Sequence, residues 1–540
     1  MKKKFQNKRH SSPRAGESRR FEAQPQGATI TELSRADIGK RFYILGLIDQ
    51  IEQTGGPTIF YLNDGTGSLP LKAFEGAGVR AYPHLNAGDA VNAVVTIGEF
   101  DDALQGEVDR MLKLEEKDKQ DLLVRISEIE VERAKVLPID FLADDPILHK
   151  LKERFIKAAT EIRLAIIRNR PIIIRHHNDT DGYSSGYALE RAVLPLIVKQ
   201  HNSLKAAWEF YTRAPCHAPL YEIDDSIRDT SHSLSAAAKF SNKMPLVLIV
   251  DTGSGREDLL GIKQGKVHGM DFIVVDHHVF EEDVISSEVL AHINPFLVGE
   301  DGAKFSAGML CTELARFINS DTELNILQIP AMAGLADRID NPKAMNGYLQ
   351  HAAKKGYDKD LLMDISVVLD FVSAKIRFME AREYIEVLFG EPMEKQKALV
   401  ALLAPYIKNL DAKGLEIAKE SVETKKIGNI TVQYLDIEKN FPRFFYPKPG
   451  RCVSMIHDYA QEEKKGERLV TAGIMPDAMT LRATDESKFS VHDLIDYLNK
   501  KVPGAFVEGG GHKRAGSIKF IPNKQSKIVD AFNDFVKNIK

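Results

Sequence analysis

The chain has 540 residues, of which 43% are hydrophobic and 28% are charged, and its net charge is −4. This composition is ordinary for a globular protein, and the length predicts three or four folded units instead of a single core. The near-neutral balance argues against a protein that coats nucleic acid with its whole surface, although a local basic channel remains compatible with it.

The chain contains no apolar run near the roughly 20 residues that a membrane span needs, and no apolar signal segment at its beginning. We therefore expect a cytoplasmic protein without a membrane partner. Three widely separated cysteines, Cys216, Cys311 and Cys452, show no paired spacing. They predict reduced thiols and no structural zinc site.

Residues 1–27 form a basic segment rich in Ser, Gly and Pro, in which Glu17 is the acidic residue among the first twenty. Its cationic residues are Lys2, Lys3, Lys4, Lys8, Arg9, Arg14, Arg19 and Arg20. This pattern predicts a disordered tail. Two interpretations remain open, an arm that binds nucleic acid and an extension that only solubilises the chain.

Residues 28–118 contain short β-like segments at 42–51, 57–63, 69–74 and 90–97, with a tight turn signal at 64–67. About five short strands suit a small closed barrel. The segment FYLNDGTGSLPLKAF resembles the central hairpin of OB-fold domains that bind nucleic acid. The alternative is a small β-domain that contacts other proteins.

The remaining chain alternates between helical and mixed regions. Residues 119–165 predict a helical connector, 166–342 an α/β domain, 343–424 a helical linker and 425–540 a second α/β domain. Within 166–342, the apolar runs at 171–175, 246–250 and 272–275 are typical of strands buried on both faces of a parallel sheet.

Each of these three runs ends in acids or histidines. The segments that follow them are HHNDTDGYSSG at 176–186, DTGSG at 251–255 and DHH at 276–278. Because the carboxyl ends of parallel strands line one crevice, we expect these side chains to converge. Several carboxylates in one crevice would repel each other unless cations offset their charge. Mixed carboxylate and imidazole ligands suit Mn²⁺ and tolerate Mg²⁺.

The first of these segments also predicts a phosphate contact. Gly182 permits a turn into the next helix, and the amino terminus of a helix attracts anions. Ser184 and Ser185 lie in that first turn, so we expect both to contact substrate.

These motifs resemble a known family. HxDxDG, the acid after the second strand and the DHH triplet are similar to motifs I to III of the DHH phosphoesterases, and Asp337 in AGLADRID matches the acid of motif IV. The segment GGGHKRAGS at 509–517 resembles the signature of the DHHA1 domain that accompanies this core. A barrel before the core is more similar to archaeal RecJ-like proteins than to bacterial RecJ, which carries one after it.

The resemblance implies two cations, Mn²⁺ or Mg²⁺, in each active site. The ligands implied for one cation are His177, Asp179 and Asp251. Those implied for the other are Asp181, Asp251, His277 and Asp337. His176 is an alternative to His177, although the spacing to Asp179 favours His177. His278 would donate to the phosphate or the leaving group, and Asp276 would orient the two histidines. His217 and His292 are interpreted as ordinary polar residues.

The C-terminal domain is predicted to contact substrate. Three consecutive glycines suit a backbone nest for a phosphate, and Arg482 in MTLRA resembles an arginine that faces substrate in this domain. The expected substrate-binding residues here are Arg482, Gly509, Gly510, Gly511 and His512, with added charge from Lys513 and Arg514.

The predicted fold is a multidomain α/β protein, with a parallel-sheet DHH core and a C-terminal DHHA1 domain preceded by an OB-like barrel. The predicted function is a two-metal exonuclease on single-stranded DNA or RNA, with replication or repair proteins as expected partners. The alternatives are a phosphodiesterase for short oligonucleotides or cyclic dinucleotides, and an inactive replisome scaffold. The OB-like domain argues against the first alternative, and the retained ligand positions argue against the second.

Overall fold

The computed structural model describes residues 25–100, 103–201, 203–240, 243–320, 325–376, 382–442 and 446–539. The predicted basic tail lies almost entirely outside these ranges. The chain divides into two compact units, Met1–Ser127 and Glu128–Lys540. Helix α1 (Glu116–Ala134) contains this division.

The first unit is built around a closed β-barrel. Its strands are β1 (Gln26–Gly27), β2 (Arg41–Gln53), β3 (Thr58–Asn63), β4 (Ser68–Ala73), β5 (Ala90–Phe100) and β6 (Ala103–Lys113). They are ordered β1-β2-β3-β4-β6-β5, and a further pairing of β2 with β5 closes the barrel. In β2, Phe42, Ile44 and Ile48 point inward while Tyr43 and Leu45 are exposed. The predicted OB-like barrel is confirmed.

Strand β6 is the part of the barrel that no predicted segment covered. Its sequence, ALQGEVDRMLK, mixes polar and apolar residues, and only Gln105, Gly106 and Met111 are buried. It is nevertheless paired with β5 along its whole length and with β4 at Leu71 and Lys72. Backbone pairing on both sides therefore makes it a strand in spite of its weak apolar pattern.

The second unit begins with a five-stranded parallel sheet. Its strands are β7 (Ile172–His176), β8 (Tyr211–Pro215), β9 (Leu246–Val250), β10 (Asp271–Val275) and β11 (Ala291–Ile293). They are ordered β11-β10-β9-β7-β8, so β9 is the middle strand. The three apolar strands β7, β9 and β10 are buried almost throughout, as expected for a sheet covered on both faces.

Helices cover both faces of this sheet. They are α2 (Pro146–Ile167), α3 (Thr180–His201), α4 (Ala206–Glu209), α5 (Ile223–Phe240), α6 (Leu259–Val267), α7 (Ala307–Ile318) and α8 (Ile329–Ala336). Helix α2 belongs to the predicted connector, yet Leu151, Phe155 and Ile162 are fully buried in the same core as Ile172 and Ile174. It is therefore an integral part of this core.

A helical segment then leads to a second sheet. The helices are α9 (Pro342–Lys354), α10 (Lys359–Ile376), α11 (Arg382–Leu388) and α12 (Met393–Ser421). The strands are β12 (Glu423–Ile427), β13 (Ile430–Asp436), β14 (Leu469–Ile474), β15 (Ala478–Ala483), β16 (Glu508–His512) and β17 (Ala515–Lys519). Their order is β12-β13-β14-β15-β17-β16, which places β16 at one edge. The helices of this part are α13 (Ile437–Asn440), α14 (Pro449–Glu463), α15 (Val491–Lys501) and α16 (Gln525–Lys537).

The predicted fold class is confirmed: a barrel, a parallel α/β sheet and a C-terminal α/β region occur in the expected order. The finer domain boundaries stay predictions, because the one division found lies between residues 127 and 128. All three cysteines are buried free thiols. Within the described ranges, no helix has the length and hydropathy that a membrane span requires.

Candidate metal centre

The three acidic and histidine-rich segments meet at one edge of the parallel sheet. His177 follows β7, Asp251 follows the middle strand β9, and His277 follows β10. Strand β9 pairs with both β7 and β10. Asp251 therefore lies between the other two segments, as the parallel topology predicts.

The first group of side chains consists of His177, Asp179 and Asp251, whose ligand atoms all lie within 4.8 Å of one another. His177 Nδ1 is 2.8 Å from Asp179 Oδ2 and 3.7 Å from Asp251 Oδ2. His176 is fully buried, bonds through Nδ1 to the His177 carbonyl at 2.7 Å and packs against Tyr183. The structure thus brings His177 into the group, and places His176 behind it in the core.

The second group joins His277 to three carboxylates. Its Nε2 lies 3.4 Å from Asp251 Oδ1, 3.3 Å from Asp337 Oδ2 and 3.8 Å from Asp181 Oδ2. The other ring nitrogen, Nδ1, lies 3.3 Å from the carbonyl of Gly302. When Nδ1 donates to that carbonyl, the lone pair of Nε2 faces the carboxylates, which is the orientation that a metal ligand needs.

Asp251 belongs to both groups. Its side chain is 2% exposed, and its Oδ2 accepts no hydrogen bond from the described residues. Its backbone has a φ of 60°, in the left-handed region that few residues other than glycine adopt. A buried carboxylate oxygen without a donor, on strained backbone, is typical of a site that binds a ligand.

Asp181 is held by the amino terminus of α7. The amide of Ala307 donates to its Oδ2 at 2.8 Å and the amide of Gly308 donates to its Oδ1 at 2.9 Å. A Cβ at residue 308 would lie 2.8 Å from Asp181 Oδ1, so only glycine fits there without displacing the carboxylate. Helix α7 therefore fixes the orientation of Asp181 toward His277.

Asp276 arranges the two histidines that follow it. Its Oδ1 accepts from the His277 and His278 amides at 2.8 and 3.2 Å, and it lies 2.8 Å from His278 Nδ1. Its Oδ2 accepts from the Ser254 amide at 3.1 Å. Burial opposes ionisation of Asp276, but His278 and these donors outweigh it and hold the pKa of Asp276 below its usual range. Asp276 is thus an ionised carboxylate that orients the ring of His278 and holds the backbone of His277.

The electrostatics of the cluster suit a divalent cation. Burial, followed by the charges of Asp251 and Asp337, raises the pKa of Asp181 well above its ordinary value. Burial and the neighbouring carboxylates also raise the pKa of Asp337, to about 6. A cation would relieve this repulsion, and the mixed carboxylate and imidazole donors fit Mn²⁺ or Mg²⁺. The residues present therefore fit the metal that the motifs imply.

The structure buries Ser184 and Ser185, the two residues predicted to contact substrate. Both residues have no exposed surface, because this turn of α3 packs against α7. The first amide of α3, from Thr180, already donates to Asp370 Oδ1 at 3.0 Å. The first amide of α3 is therefore paired with a protein group, and the contact of these two serines with substrate stays a prediction.

The glycines at 509–511, predicted to form a backbone nest, lie in a strand, and their contact with substrate stays a prediction. They belong to edge strand β16 and pair with β17. A Cβ at Gly509 would lie 2.3 Å from the Ser517 carbonyl, and Gly511 has a φ of 120°, so both positions require glycine. Gly510 faces the parallel-sheet region, where a Cβ would lie 3.6 Å from Leu220. The side chain of His512 lies outside the described part of the chain.

Arg482 lies on β15, half-buried, beside the amino-terminal turn of α14. Its Nε donates to Ser454 Oγ at 2.9 Å and its Nη1 donates to the Leu481 carbonyl at 2.8 Å. Burial lowers its pKa from the usual value. No described carboxylate forms an ion pair with it, so the guanidinium is suited to an anionic ligand.

Sequence reasoning missed two contacts around this site. Lys448 Nζ donates to the carbonyl of Asn178 at 3.2 Å, and Arg338, directly after Asp337, pairs with Asp458 at 2.8 Å. Both contacts join residues more than a hundred positions apart, and Lys448 and Asp458 lie outside the recognised motifs. Only the packing of α14 against the site reveals them.

Comparison with known proteins agrees with the motifs. The model of the DHH family, N-terminal domain, matches residues 171–336. The uncharacterized protein MJ1198 of Methanocaldococcus jannaschii is 34% identical over 528 residues, which cover 92% of this chain and 69% of that protein.

Two solved structures are also similar. The DHH domain of PF0399, described as a member of the s1p family of ribosomal proteins, has a TM-score of 0.74 and 35% identity over 78% of this chain and 99% of its own. RecJ from Thermus thermophilus, in complex with Mn²⁺, has a TM-score of 0.50 and 15% identity over 76% of this chain and 59% of its own, a likeness of fold. The motifs, the sheet edge they occupy and these matches lead to one conclusion: the chain belongs to the DHH family of phosphoesterases and has a RecJ-like fold.

Proposed function

We propose that the chain is a metal-dependent exonuclease that hydrolyses phosphodiester bonds in single-stranded DNA or RNA. The observation that carries this proposal is the position of Asp251, whose two carboxylate oxygens face two separate groups of ligands. Such a shared carboxylate is expected where two cations lie about 3.5–4 Å apart.

Six side chains of this chain would hold the cations. They are His177, Asp179, Asp181, Asp251, His277 and Asp337. When bound, two divalent cations lower the pKa of a water molecule and offset the charge of the phosphate and the leaving oxygen. Nothing else in the cluster competes as a nucleophile, since Ser184 and Ser185 are buried.

His278 is proposed to supply a proton. Burial opposes its charged form, but the Asp276 carboxylate outweighs burial and raises the pKa of His278 above its ordinary value. Because Nδ1 faces Asp276, Nε2–H is the ring donor that would serve a phosphate oxygen or the leaving oxygen. The side chain is 25% exposed, so a substrate phosphate can reach it.

The C-terminal region is proposed to select single strands and their ends. Gly510 lies against Leu220, and Lys519 Nζ is 3.4 Å from Glu222 Oε1, so edge strand β16 approaches the loop between β8 and α5. These contacts are the support for the proposal that the path to the metal cluster is closed at one side and admits a single strand instead of a duplex. Arg482 would bind a phosphate or a terminal oxygen of the strand on this wall.

The same closed side supports a second candidate, a phosphodiesterase for short oligonucleotides or cyclic dinucleotides. A substrate of two or three nucleotides would not need to extend beyond the contact between Leu220 and Gly510. The N-terminal barrel distinguishes the two candidates, because such a small substrate gains little from an additional strand-binding module.

The test compares end-labelled single-stranded DNA and RNA, blunt duplex, circular single strands and dinucleotides in the presence of Mn²⁺. We expect mononucleotides from linear single strands and intact circles. Cleavage of circles would refute the exonuclease assignment, and turnover of dinucleotides alone would favour the second candidate. Absence of all turnover would favour an inactive scaffold. Asp251→Asn is the matched control for contaminating nucleases.

A further inference from the structure

Lys448 reaches the loop that carries His177 and Asp179 from the other end of the second unit. It precedes α14, and its Nζ donates to the carbonyl of Asn178 at 3.2 Å and to Ser373 Oγ at 3.1 Å. Asn178 lies directly between His177 and Asp179 in sequence. A restraint on its carbonyl therefore acts on the backbone of both ligands.

The opposite side of the same loop is held by α10. The amide and the hydroxyl of Thr180 both donate to Asp370 Oδ1, at 3.0 and 2.8 Å. Ser373, which accepts from Lys448, lies one turn further along α10 and is fully buried. The loop 177–180 is thus held between α10 and Lys448, and Lys448 is the member that comes from the C-terminal region.

Helix α14 makes two further contacts with the site. Asp458 pairs at 2.8 Å with Arg338, which follows the proposed ligand Asp337 and has a φ of 55°. Ser454 accepts the hydrogen bond from Arg482. One helix therefore contacts the loop of Asp179, the residue after Asp337, and the arginine on the substrate wall.

Helix α14 is itself fixed at its beginning. Arg451 donates to Asp411 on α12 in a bidentate pair, with Nε at 2.9 Å from both carboxylate oxygens. Tyr446, just before Lys448, is buried and its ring lies 5.0 Å from the ring of Phe371 on α10. These two contacts fix the backbone on either side of Lys448, as is required of a residue that positions metal ligands.

We propose that Lys448 is a positioning residue that sets the geometry of His177 and Asp179 and so makes cation binding depend on the docking of α14. The proposal rests on the proposed function only in requiring that the cluster binds a divalent cation. Lys448 supplies no ligand atom. It acts through the backbone of Asn178, and its positive charge also acts on Asp179. A substrate that shifts α14 through Arg482 would change cation affinity by the same route.

The experiment measures Mn²⁺ binding to the full chain without substrate, from the electron paramagnetic resonance signal of free Mn²⁺. Lys448→Met keeps the length of the side chain and removes its charge and its donors. We expect one class of Mn²⁺ sites to weaken about 10- to 100-fold, the range seen when residues that orient metal ligands are removed. Lys448→Arg retains charge and donors, so we expect it to restore binding to within about threefold.

Lys439→Met is the matched control, because Lys439 is an exposed lysine on α13 outside the site, and we expect its Mn²⁺ affinity to be unchanged. Thermal unfolding shows whether each variant is folded. If Lys448→Met does not fold, Lys448→Gln, which is too short to reach Asn178, replaces it with the same expected weakening.

Wild-type Mn²⁺ affinity in folded Lys448→Met or Lys448→Gln would overturn the positioning role while leaving the proposed function intact. Absence of Mn²⁺ binding to the wild-type chain would overturn both. In turnover assays, the deficit of Lys448→Met should disappear at proportionally higher Mn²⁺, whereas a deficit independent of Mn²⁺ would contradict the proposal.

Discussion

The barrel of the first unit and the sheet edge of the second unit both contain many acidic side chains, but they use them differently. Residues 28–114 contain twelve acids and seven Lys or Arg residues. Several of these acids are paired with cations, as in Arg41–Asp109, Lys113–Asp89 and Arg35–Glu99. At the sheet edge, the described ion pairs of Asp181, Asp251 and Asp337 involve only histidines.

This difference separates acids that support structure from acids that form a site. The negative charge of a carboxylate beside Lys or Arg is already offset. Several buried carboxylates whose ion pairs are with histidines alone still repel one another, and a bound cation would stabilise them. The barrel lacks such a cluster among its described residues and instead exposes aromatic rings, with Phe74 68% and Phe100 65% exposed. Its net negative composition also weakens any electrostatic attraction to a phosphate backbone.

The largest expected effect comes from removing the shared carboxylate. Asp251→Asn should reduce turnover by about 1,000-fold or more, because metal assistance is worth several kcal/mol. Asparagine tolerates the left-handed backbone at this position, so the fold should persist. Asp271→Asn, at the opposite end of β10, is the matched control. Turnover near the wild-type level in folded Asp251→Asn would remove the basis for a two-metal site.

The two units should also differ in their stability to acid. Burial lowers the pKa of His457 from 6.5 to about 4, and its Nδ1 contacts Thr471 Oγ1 at 2.8 Å. As the pH falls, the unfolded chain therefore binds this proton at a higher pH than the folded chain does. The contribution of His457 to the free energy of unfolding is present above pH 6.5 and is lost as the pH falls to about 4. This amounts to about 3 kcal/mol. The histidine of the barrel, His84, is exposed.

Urea unfolding followed by circular dichroism at pH 7 and pH 4 tests this difference. His457→Gln should lose less stability between the two pH values than the wild type does. His232→Gln, an exposed position on α5, should behave like the wild type. Equal pH dependence in all three proteins would show that His457 does not contribute.

A smaller effect is expected from the residue that orients the histidines. Asp276→Asn removes the negative charge that faces the ring of His278. It also weakens the hydrogen bonds that Asp276 accepts from Ser254, His277 and His278. We expect turnover to fall about 10- to 100-fold while Mn²⁺ binding persists. The pH profile of turnover should also move to lower pH, because the pKa of His278 falls when Asp276 is neutral. An unshifted profile would exclude His278 as the proton donor.

The smallest effect is expected in the barrel. The variant Phe74→Ala should raise the KM for long single strands about fivefold, the low end of the roughly 1–3 kcal/mol that stacking contributes per base. Short oligonucleotides should be unaffected, and the salt dependence should not change because no cation is removed. Ile38→Ala, another exposed apolar residue, is the control. Equal losses on short and long substrates would make the barrel structural.

Sequence reasoning succeeded where the evidence was local. The ends of β7, β9 and β10 were recognisable from apolar runs followed by acids and histidines, and Asp337 followed from the motif resemblance. It did not foresee the burial of Ser184 and Ser185, because that burial depends on α7, more than a hundred residues later. It failed for Lys448 for the same reason, since Asn178 is 270 residues away. Tertiary packing between distant helices leaves no local pattern.

The middle position of β9 has a consequence for how this site can change. Neighbouring strands in a sheet are about 4.8 Å apart, and β9 lies directly beside both β7 and β10. Asp251 is therefore one strand spacing from His177 and one strand spacing from His277. Inserting a strand between β9 and either neighbour would double that spacing, and Asp251 could then no longer belong to both groups of ligands. Circular permutation or loop exchange, in contrast, does not change the order of the strands. A redesign of this protein can therefore change the loops that connect the strands, but it must keep the order of the strands.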